Sequence, residues 1–222
     1  MKILIVYAHP EPQSFNGAML QAAVEQLTNN GHQLQLTDLY ATQFSPVSDR
    51  SNFSSVLDVD YFKQQLEEGY ATQVNGFSEL INTEQEKVEW CDLIIWQFPL
   101  WWFSVPAILK GWVDRVFAME RFYGQGKMYE TGVMIGKRAM LSLTTGGPQV
   151  AYLEGGLQGD LNGILRPLQR GIFQFVGFSV LEPQVVFGPA RLSADQRRDE
   201  LNRWKERLNH VFDEAPIEVG IY

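Results

Sequence analysis

The sequence predicts a doubly wound α/β domain: a five-stranded parallel sheet in the order 2-1-3-4-5, with helices on both faces. Three observations carry this. Short apolar runs of strand character alternate with segments of helical period along the chain. Each pair of successive strands is separated by a helical segment, which implies parallel strands joined by right-handed crossovers. No Gly-x-Gly-x-x-Gly follows the first strand, which weakens the six-stranded alternative that binds dinucleotides through that turn. The chain reads as a single domain over 1–222, with one irregular excursion at about 41–76.

The elements follow in order. Lys2 to Tyr7 is short, β-branched and closed by Ala8-His9-Pro10, hence a buried strand. Phe15 to Asn29 places Ala18, Met19, Ala22, Ala23 and Leu27 on one helical face, and Asn29-Asn30-Gly31 stops it. Gln33 to Thr37 alternates Leu34 and Leu36 with polar residues, a second strand. The excursion holds some helix, and Phe44, Phe53, Tyr61 and Phe62 are expected to pack it on the body. Helix resumes from Ser78 to Trp90, and a strand follows from Asp92 to Gln97. Ala107 to Phe117 is a helix and Lys137 to Thr144 a fourth strand. Leu161 to Val176 is a helix kinked near Pro167, and Ser179 to Phe187 a fifth strand. Ser193 to Phe212 closes the chain as an amphipathic helix with Leu201, Trp204 and Leu208 inward. Ser193 and Gln196 have capping-box spacing.

Composition excludes several function classes. The 222 residues are 45% hydrophobic and 20% charged, ordinary for a globular protein. A net charge of −8 argues against nucleic acid and against an anionic membrane surface. The single cysteine, Cys91, excludes an intrachain disulfide, and no metal cluster is expected. The apolar run Ile3 to Val6 is too short for a signal or spanning segment, so a cytoplasmic location without stable membrane insertion is expected.

Chemistry is expected in the crevice beyond the strand ends, where open α/β sheets bind ligands. Gln97-Phe98-Pro99-Leu100-Trp101-Trp102-Phe103-Ser104-Val105-Pro106 leaves the third strand with three aromatics between prolines. Such a loop suits a flat aromatic ligand, or equally a buried core loop or interface. Ser14, in the first turn with His9, Phe15 and Asn16, is an N-cap. Its helix N-terminus offers free N–H groups and partial positive charge to a phosphate, although the segment by itself equally fits an ordinary capped helix with His9 satisfied in the turn. Thr144-Thr145-Gly146-Gly147-Pro148 lets backbone amides approach a ligand with no Cβ in the way, although Gly-Gly-Pro also serves as plain chain reversal. Tyr152, just beyond, is expected either to bring a hydroxyl to the same crevice or to stand as an exposed loop aromatic.

These stretches, with Asp38-Leu39-Tyr40, Met128-Tyr129, Gly159-Asp160 and Leu181-Glu182-Pro183-Gln184, resemble the NAD(P)H:quinone oxidoreductase (DT-diaphorase-like) family, whose fold is flavodoxin-like. The resemblance spans nearly the whole chain in order, with 52–86 fitting loosely and the extended C-terminal tail of mammalian members not matched. It implies FAD rather than FMN. The matching cofactor-binding positions are His9, Phe15, Asn16, Ala18, Pro99 and Leu100, together with Trp102, Phe103 and Thr144 to Gly147. Ser14 and Trp101 join them from the residue reading. Glu120 and Arg197 match positions near the adenosine portion.

The resemblance also implies a catalytic group of Tyr152 with the Gly146 and Gly147 amides, and Gln158 where the family carries a histidine. Glutamine donates a hydrogen bond but does not become cationic at neutral pH. Tyr123 matches an aromatic that caps the substrate pocket from a second subunit, and Gln125 replaces a second capping tyrosine. Trp102, Phe103, Phe175 and Phe178 complete the expected substrate pocket. The family pairs as homodimers with the site at the interface. Phe122, Tyr123, Phe173, Phe175 and Phe178 are interface candidates, with core packing favoured for Phe173 and Phe175. The implied reaction is a two-electron ping-pong transfer of hydride from NAD(P)H through the flavin to a quinone. The alternatives are a flavodoxin-type carrier, an ancillary subunit of a potassium-efflux system, and an azo- or nitroreductase.

Overall fold

The computed structural model describes residues 1–221. Six strands form one sheet: β1 (Lys2–Tyr7), β2 (Gln33–Asp38), β3 (Leu93–Pro99), β4 (Arg138–Thr145), β5 (Ser179–Val180) and β6 (Gln184–Phe187). All pair in parallel in the order β2-β1-β3-β4-β5, and β6 also lies against β4. The expected fifth strand is therefore present but broken. Val180 and Gln184 flank a gap that contains Pro183, which has no N–H to give the ladder.

The helices are α1 (Phe15–Asn29), α2 (Gln64–Val74), α3 (Glu79–Trp90), α4 (Ala107–Val116), α5 (Leu161–Leu168) and α6 (Ala194–Asn209). Alternate residues of each strand face opposite layers, as the pleat requires. Ile3 and Ile5 of β1 join a core with Met19 of α1 and Trp204 of α6. Leu4 and Val6 join the other, with Val88 of α3, Trp112 of α4 and Leu165 of α5. Trp204 donates its indole N–H to the Met19 carbonyl at 3.2 Å, which clamps α6 on α1. The expected capping box forms in both directions: Gln196 N–H to Ser193 Oγ at 3.2 Å, and Ser193 N–H to Gln196 Oε1 at 2.9 Å.

The excursion contributes α2, which ends at Asn75 in the left-handed conformation, with the Asn75 and Gly76 amides both returning to Ala71 O. Phe44 is buried, and Phe53 packs against Phe62 and Phe77 at 6.2 and 5.8 Å. Tyr61 departs from expectation. It is 63% exposed, with Lys63 over its ring, so it does not anchor the segment. The kink near Pro167 takes a specific form: after α5 the backbone widens into a π turn over Gln169–Gln174. Proline removes one helical hydrogen bond, and a π turn absorbs the mismatch.

Gly111 of α4 packs flat on the excursion. A Cβ there would lie 2.3 Å from Pro46 O, a backbone atom. Gly111→Ala should lower stability by about 1–3 kcal/mol through overpacking. Urea unfolding checks this: the midpoint falls at unchanged slope, and an unmoved midpoint would show that the Pro46 segment yields freely.

Candidate active site

A chain of buried polar side chains crosses the carboxyl end of the sheet. Ser142 of β4 donates its hydroxyl to Gln97 Oε1 at 2.6 Å. Gln97 of β3 donates its amide to Asn16 Oδ1 at 2.7 Å, and Asn16 donates to Thr144 Oγ1 at 2.8 Å. All four residues are buried. Buried amides are costly unless paired, so this network fixes how the start of α1 meets β3 and β4.

Above the network lies a cavity of about 800 Å³. Its floor is Asn16 and Thr144 to Gly146, one wall is His9, Ser14, Phe15 and Trp101, and the far wall is Arg197, Arg198 and Leu201 of α6. Ala18 and Pro99 line it as well. Ser14 caps α1 as expected, accepting from the Gly17 N–H at 3.1 Å. Among the described residues the Phe15 and Asn16 amides have no partner, so the helix N-terminus stays open to an anion.

The glycine loop is arranged in the same sense. Arg191 holds the Gly146 carbonyl, and the Thr145 hydroxyl donates to the Gly147 carbonyl at 2.9 Å. The carbonyls are engaged, while the Gly146 and Gly147 amides have no partner among the described residues. His9 Nδ1 lies 3.0 Å from the Glu11 N–H and 3.1 Å from the Glu11 carbonyl, so it accepts from the one or donates to the other according to the tautomer. Burial pushes the His9 pKa below its ordinary 6.5, so the imidazole is a neutral hydrogen-bond donor at neutral pH.

The aromatic loop corrects an expectation. Trp101 and Ser104 exchange backbone hydrogen bonds at 3.1 and 3.0 Å, closing a two-residue turn at Trp102 and Phe103. Both have positive φ, 51° and 58°, where glycine or asparagine normally sits. The turn throws Trp102 to the tip, where it is 95% exposed, and Phe103 is exposed beside it. Within one chain Trp101, not Trp102 or Phe103, forms the cavity wall, with its ring 6.1 Å from His9. The Trp102 and Phe103 amides have no partner among the described residues.

The other expected residues fall elsewhere. Leu100 packs partly on the core. Tyr152 is buried beside Phe187, 5.8 Å between rings, and a Cβ on Gly147 would come 3.2 Å from its Cε2, so it stands against the glycine loop. Gln158 belongs to the following loop, its N–H bonded to Ala151 O at 2.7 Å. Glu120 does not line the cavity that holds Arg197. It lies by Gly69 and Gly124, on the Tyr123 side of the chain, because positive φ at Glu120 and Gly124 turns the segment back on itself.

A second cavity, of about 590 Å³, shares no lining residue with the first. Tyr123 and Phe175 line it, their rings 5.6 Å apart. Phe175, for which core packing was favoured, is half-buried: it packs against the core and, at the end of the π turn, also lines this wall. Gln125 is exposed in the adjoining turn, with φ 51°. Phe178 is corrected from pocket to core: it is 2% exposed and packs on Phe173. Phe122 and Phe173 are likewise fully buried.

Sequence reasoning missed Ser142, Gln13, Arg198 and Leu201, and it overlooked the role of Gln97. A glutamine inside the otherwise apolar β3 was the available signal, since a buried polar residue needs a partner. Leu201 lies four residues beyond Arg197 and three beyond Arg198 on α6, the spacings that make helix residues neighbours.

A sheet of this order, with its cavity at the first strand–helix turn and the neighbouring strand ends, defines a flavodoxin-like protein, and residues 1–208 match the family described as having the flavodoxin-like fold. Within that fold the chain belongs to the NAD(P)H:quinone oxidoreductase family and is an oxidoreductase of that family. It is 45% identical over 217 residues to NAD(P)H dehydrogenase (quinone) 1 of Cavia porcellus, covering 97% of this chain and 79% of the relative. It is 44% identical to the ribosyldihydronicotinamide dehydrogenase (quinone) of Rattus norvegicus, covering 97% and 94%. A solved Klebsiella pneumoniae structure assigned as a quinone reductase superposes with TM-score 0.92 at 38% identity, covering 98% of this chain and 87% of that one. No metal-binding cluster, and no helix long and apolar enough to cross a membrane, is found among the described residues.

Two outcomes follow from this geometry. Gln97→Leu strands the Asn16 carbonyl and the Ser142 hydroxyl in a buried site and should cost about 1–3 kcal/mol of stability, measured by denaturant unfolding. His9, neutral in the fold, should titrate below 6.5 by imidazole NMR. Its contribution to stability is present above 6.5 and lost as pH falls below it, because the unfolded chain takes the proton first. A midpoint at or above 6.5 would contradict the burial argument.

Proposed function

We propose that this protein is an FAD-dependent NAD(P)H:quinone oxidoreductase that transfers two electrons by a ping-pong scheme. It works as a homodimer in the cytoplasm. The observation that carries the reading is a set of unpartnered backbone amides at one cavity and in the loops that run on from its walls: Phe15, Asn16 and Gly146 line it, Gly147 follows Gly146, and Trp102 and Phe103 follow Trp101. A flavin nucleotide offers a matching pattern, a flat ring with a polar edge and an anionic phosphate tail. The residues present fit it. The open N-terminus of α1 suits a phosphate, and Trp101 supplies an aromatic wall. Beyond Ser14 the cavity continues to Arg197 and Arg198, which favours the dinucleotide over the mononucleotide.

When bound, the flavin supplies the hydride-accepting and hydride-donating chemistry. The chain's own residues bind, orient and stabilise charge. The Gly146 and Gly147 amides, with their carbonyls turned away by Arg191 and Thr145, are preorganised donors toward negative charge, the logic of an oxyanion hole. Tyr152, packed against Gly147, adds a hydroxyl at that edge. Gln158 offers a hydrogen bond and no titratable proton, so Tyr152 and the glycine amides carry more of the stabilisation.

One chain holds the ring loop and the Tyr123–Phe175 cavity as separate half-sites. A second copy would join them and cover the exposed Trp102, the support for a dimer with the site between subunits. One site used in turn by NAD(P)H and the quinone accords with the absence of a glycine-rich dinucleotide motif after β1. The buried Cys91, its thiol pushed up to about 12 by burial, suits a reducing compartment such as the cytoplasm.

The test is direct. The protein saturated with flavin should be yellow, release a compound of FAD mass, and consume NADPH when a benzoquinone is added. Protein that stays colourless in the presence of FAD and FMN would refute the reading. Tyr152→Phe should slow flavin reduction by NADPH in stopped flow by about tenfold, the size of one hydrogen bond to developing charge. An unchanged rate removes Tyr152 from the catalytic group.

A further inference from the structure

The second cavity carries an arrangement that the proposed function does not use. Four side chains from one face of α2 reach the end of α4 and the segment that follows it. Gln64 donates to the Asp114 carbonyl at 3.1 Å. Glu68, buried, accepts from the Met119 N–H at 2.8 Å, and Thr72 donates to the Met119 carbonyl at 3.3 Å. Gln65 donates its side-chain amide to the Tyr123 hydroxyl oxygen at 3.3 Å. Positions 64, 65, 68 and 72 fall together at helical spacing, so α2 is pinned at Glu68 while Gln65 stands at the open edge of the cavity.

The direction of the Gln65 bond matters. A phenol can donate one hydrogen bond and accept others. With Gln65 as donor, the Tyr123 oxygen is occupied as an acceptor and its proton remains free. Burial and the nearby Glu68 carboxylate push the Tyr123 pKa up, so the phenol keeps that proton at neutral pH. Phe175 holds the ring from one side, and Tyr129 buttresses Phe175 edge-on at 5.5 Å. With Gln125 exposed in the next turn, Tyr123 is the phenol of this wall.

We propose that Gln65 is a positioning residue for the electron acceptor: by donating to Tyr123 it aims the phenolic proton at a carbonyl oxygen of the acceptor, and so selects ring carbonyl compounds over acceptors without one. The inference rests on the proposed quinone reductase activity. Hydride transfer itself is unchanged by it; Gln65 acts through Tyr123 on how the acceptor is held.

The test compares wild type, Gln65→Leu, Gln65→Glu, Tyr123→Phe and the double variant Gln65→Leu/Tyr123→Phe, all as flavin-loaded protein. Two quantities are measured: the ratio of kcat/KM for a benzoquinone to that for ferricyanide, and the Kd of the benzoquinone for oxidised protein by fluorescence quenching without reductant. Gln65→Leu should lower the ratio and weaken Kd by about 3- to 10-fold, the worth of one neutral hydrogen bond. The loss should appear in KM rather than kcat. Gln65→Glu, which turns the donor into an acceptor and draws the phenolic proton away, should behave like Tyr123→Phe. The double variant should be no worse than Tyr123→Phe, because the two side chains act as one unit. An unmoved ratio in Gln65→Leu or Gln65→Glu, or additive losses in the double variant, overturns the inference while leaving the enzyme reading intact. Wild-type protein that reduces ferricyanide but no quinone overturns the enzyme reading itself.

Discussion

The arrangement depends on satisfying polar side chains inside a sheet covered on both faces. Gln97 lies near the end of a central strand with apolar residues before and after it, and water does not reach it. Its amide has one low-energy solution, to bridge Ser142 on β4 and Asn16 at the start of α1. Asn16 then has no freedom, because its own amide is committed to Thr144. This sets the angle at which the α1 N-terminus faces the crevice, and with it the direction of the unpartnered amides. An apolar substitute for the network would hold the layers together but would not specify that angle.

The places where local rules are broken coincide with the site. Two bulky aromatics occupy left-handed positions at the tip of the ring loop, at a cost of order 1–2 kcal/mol for each residue so held. A proline within α5 is followed by a π turn, and at its end Phe175 packs on the core with one side and lines the second cavity with the other. Each departure presents an aromatic face that a regular helix or a glycine turn would not. Local and global preferences agree elsewhere, in the capping box of α6 and the alternating faces of β1.

Charge is distributed to the same purpose. The chain is acidic overall at −8, yet Arg197 and Arg198 line one wall of the large cavity and Arg191 reaches its glycine loop. A local cationic wall in an acidic protein concentrates anionic ligands at one place and disfavours them over the rest of the surface.

The strand order and the helices were legible in the sequence because burial imposes a period of two on strands and of 3.6 on helices. Ser14, Asn16, Thr144 and Thr145 were legible too, since cap chemistry and strand-end position are local properties. What the tertiary structure decided is which residues meet. Trp102 and Phe103 read as cavity walls, but the sign of φ in a two-residue turn is set by its closing hydrogen bonds, and it sends them outward. Phe173, Phe175 and Phe178 are similar on paper, and a widened turn of backbone separates wall from core among them. Gln65 carried no signal in an irregular stretch; its partner Tyr123 lies 58 residues away in sequence. Sequence by itself determines periodicity and caps, because these depend on neighbours along the chain. Which side chains share a cavity depends on contacts between distant segments, and those exist only once the layers have closed.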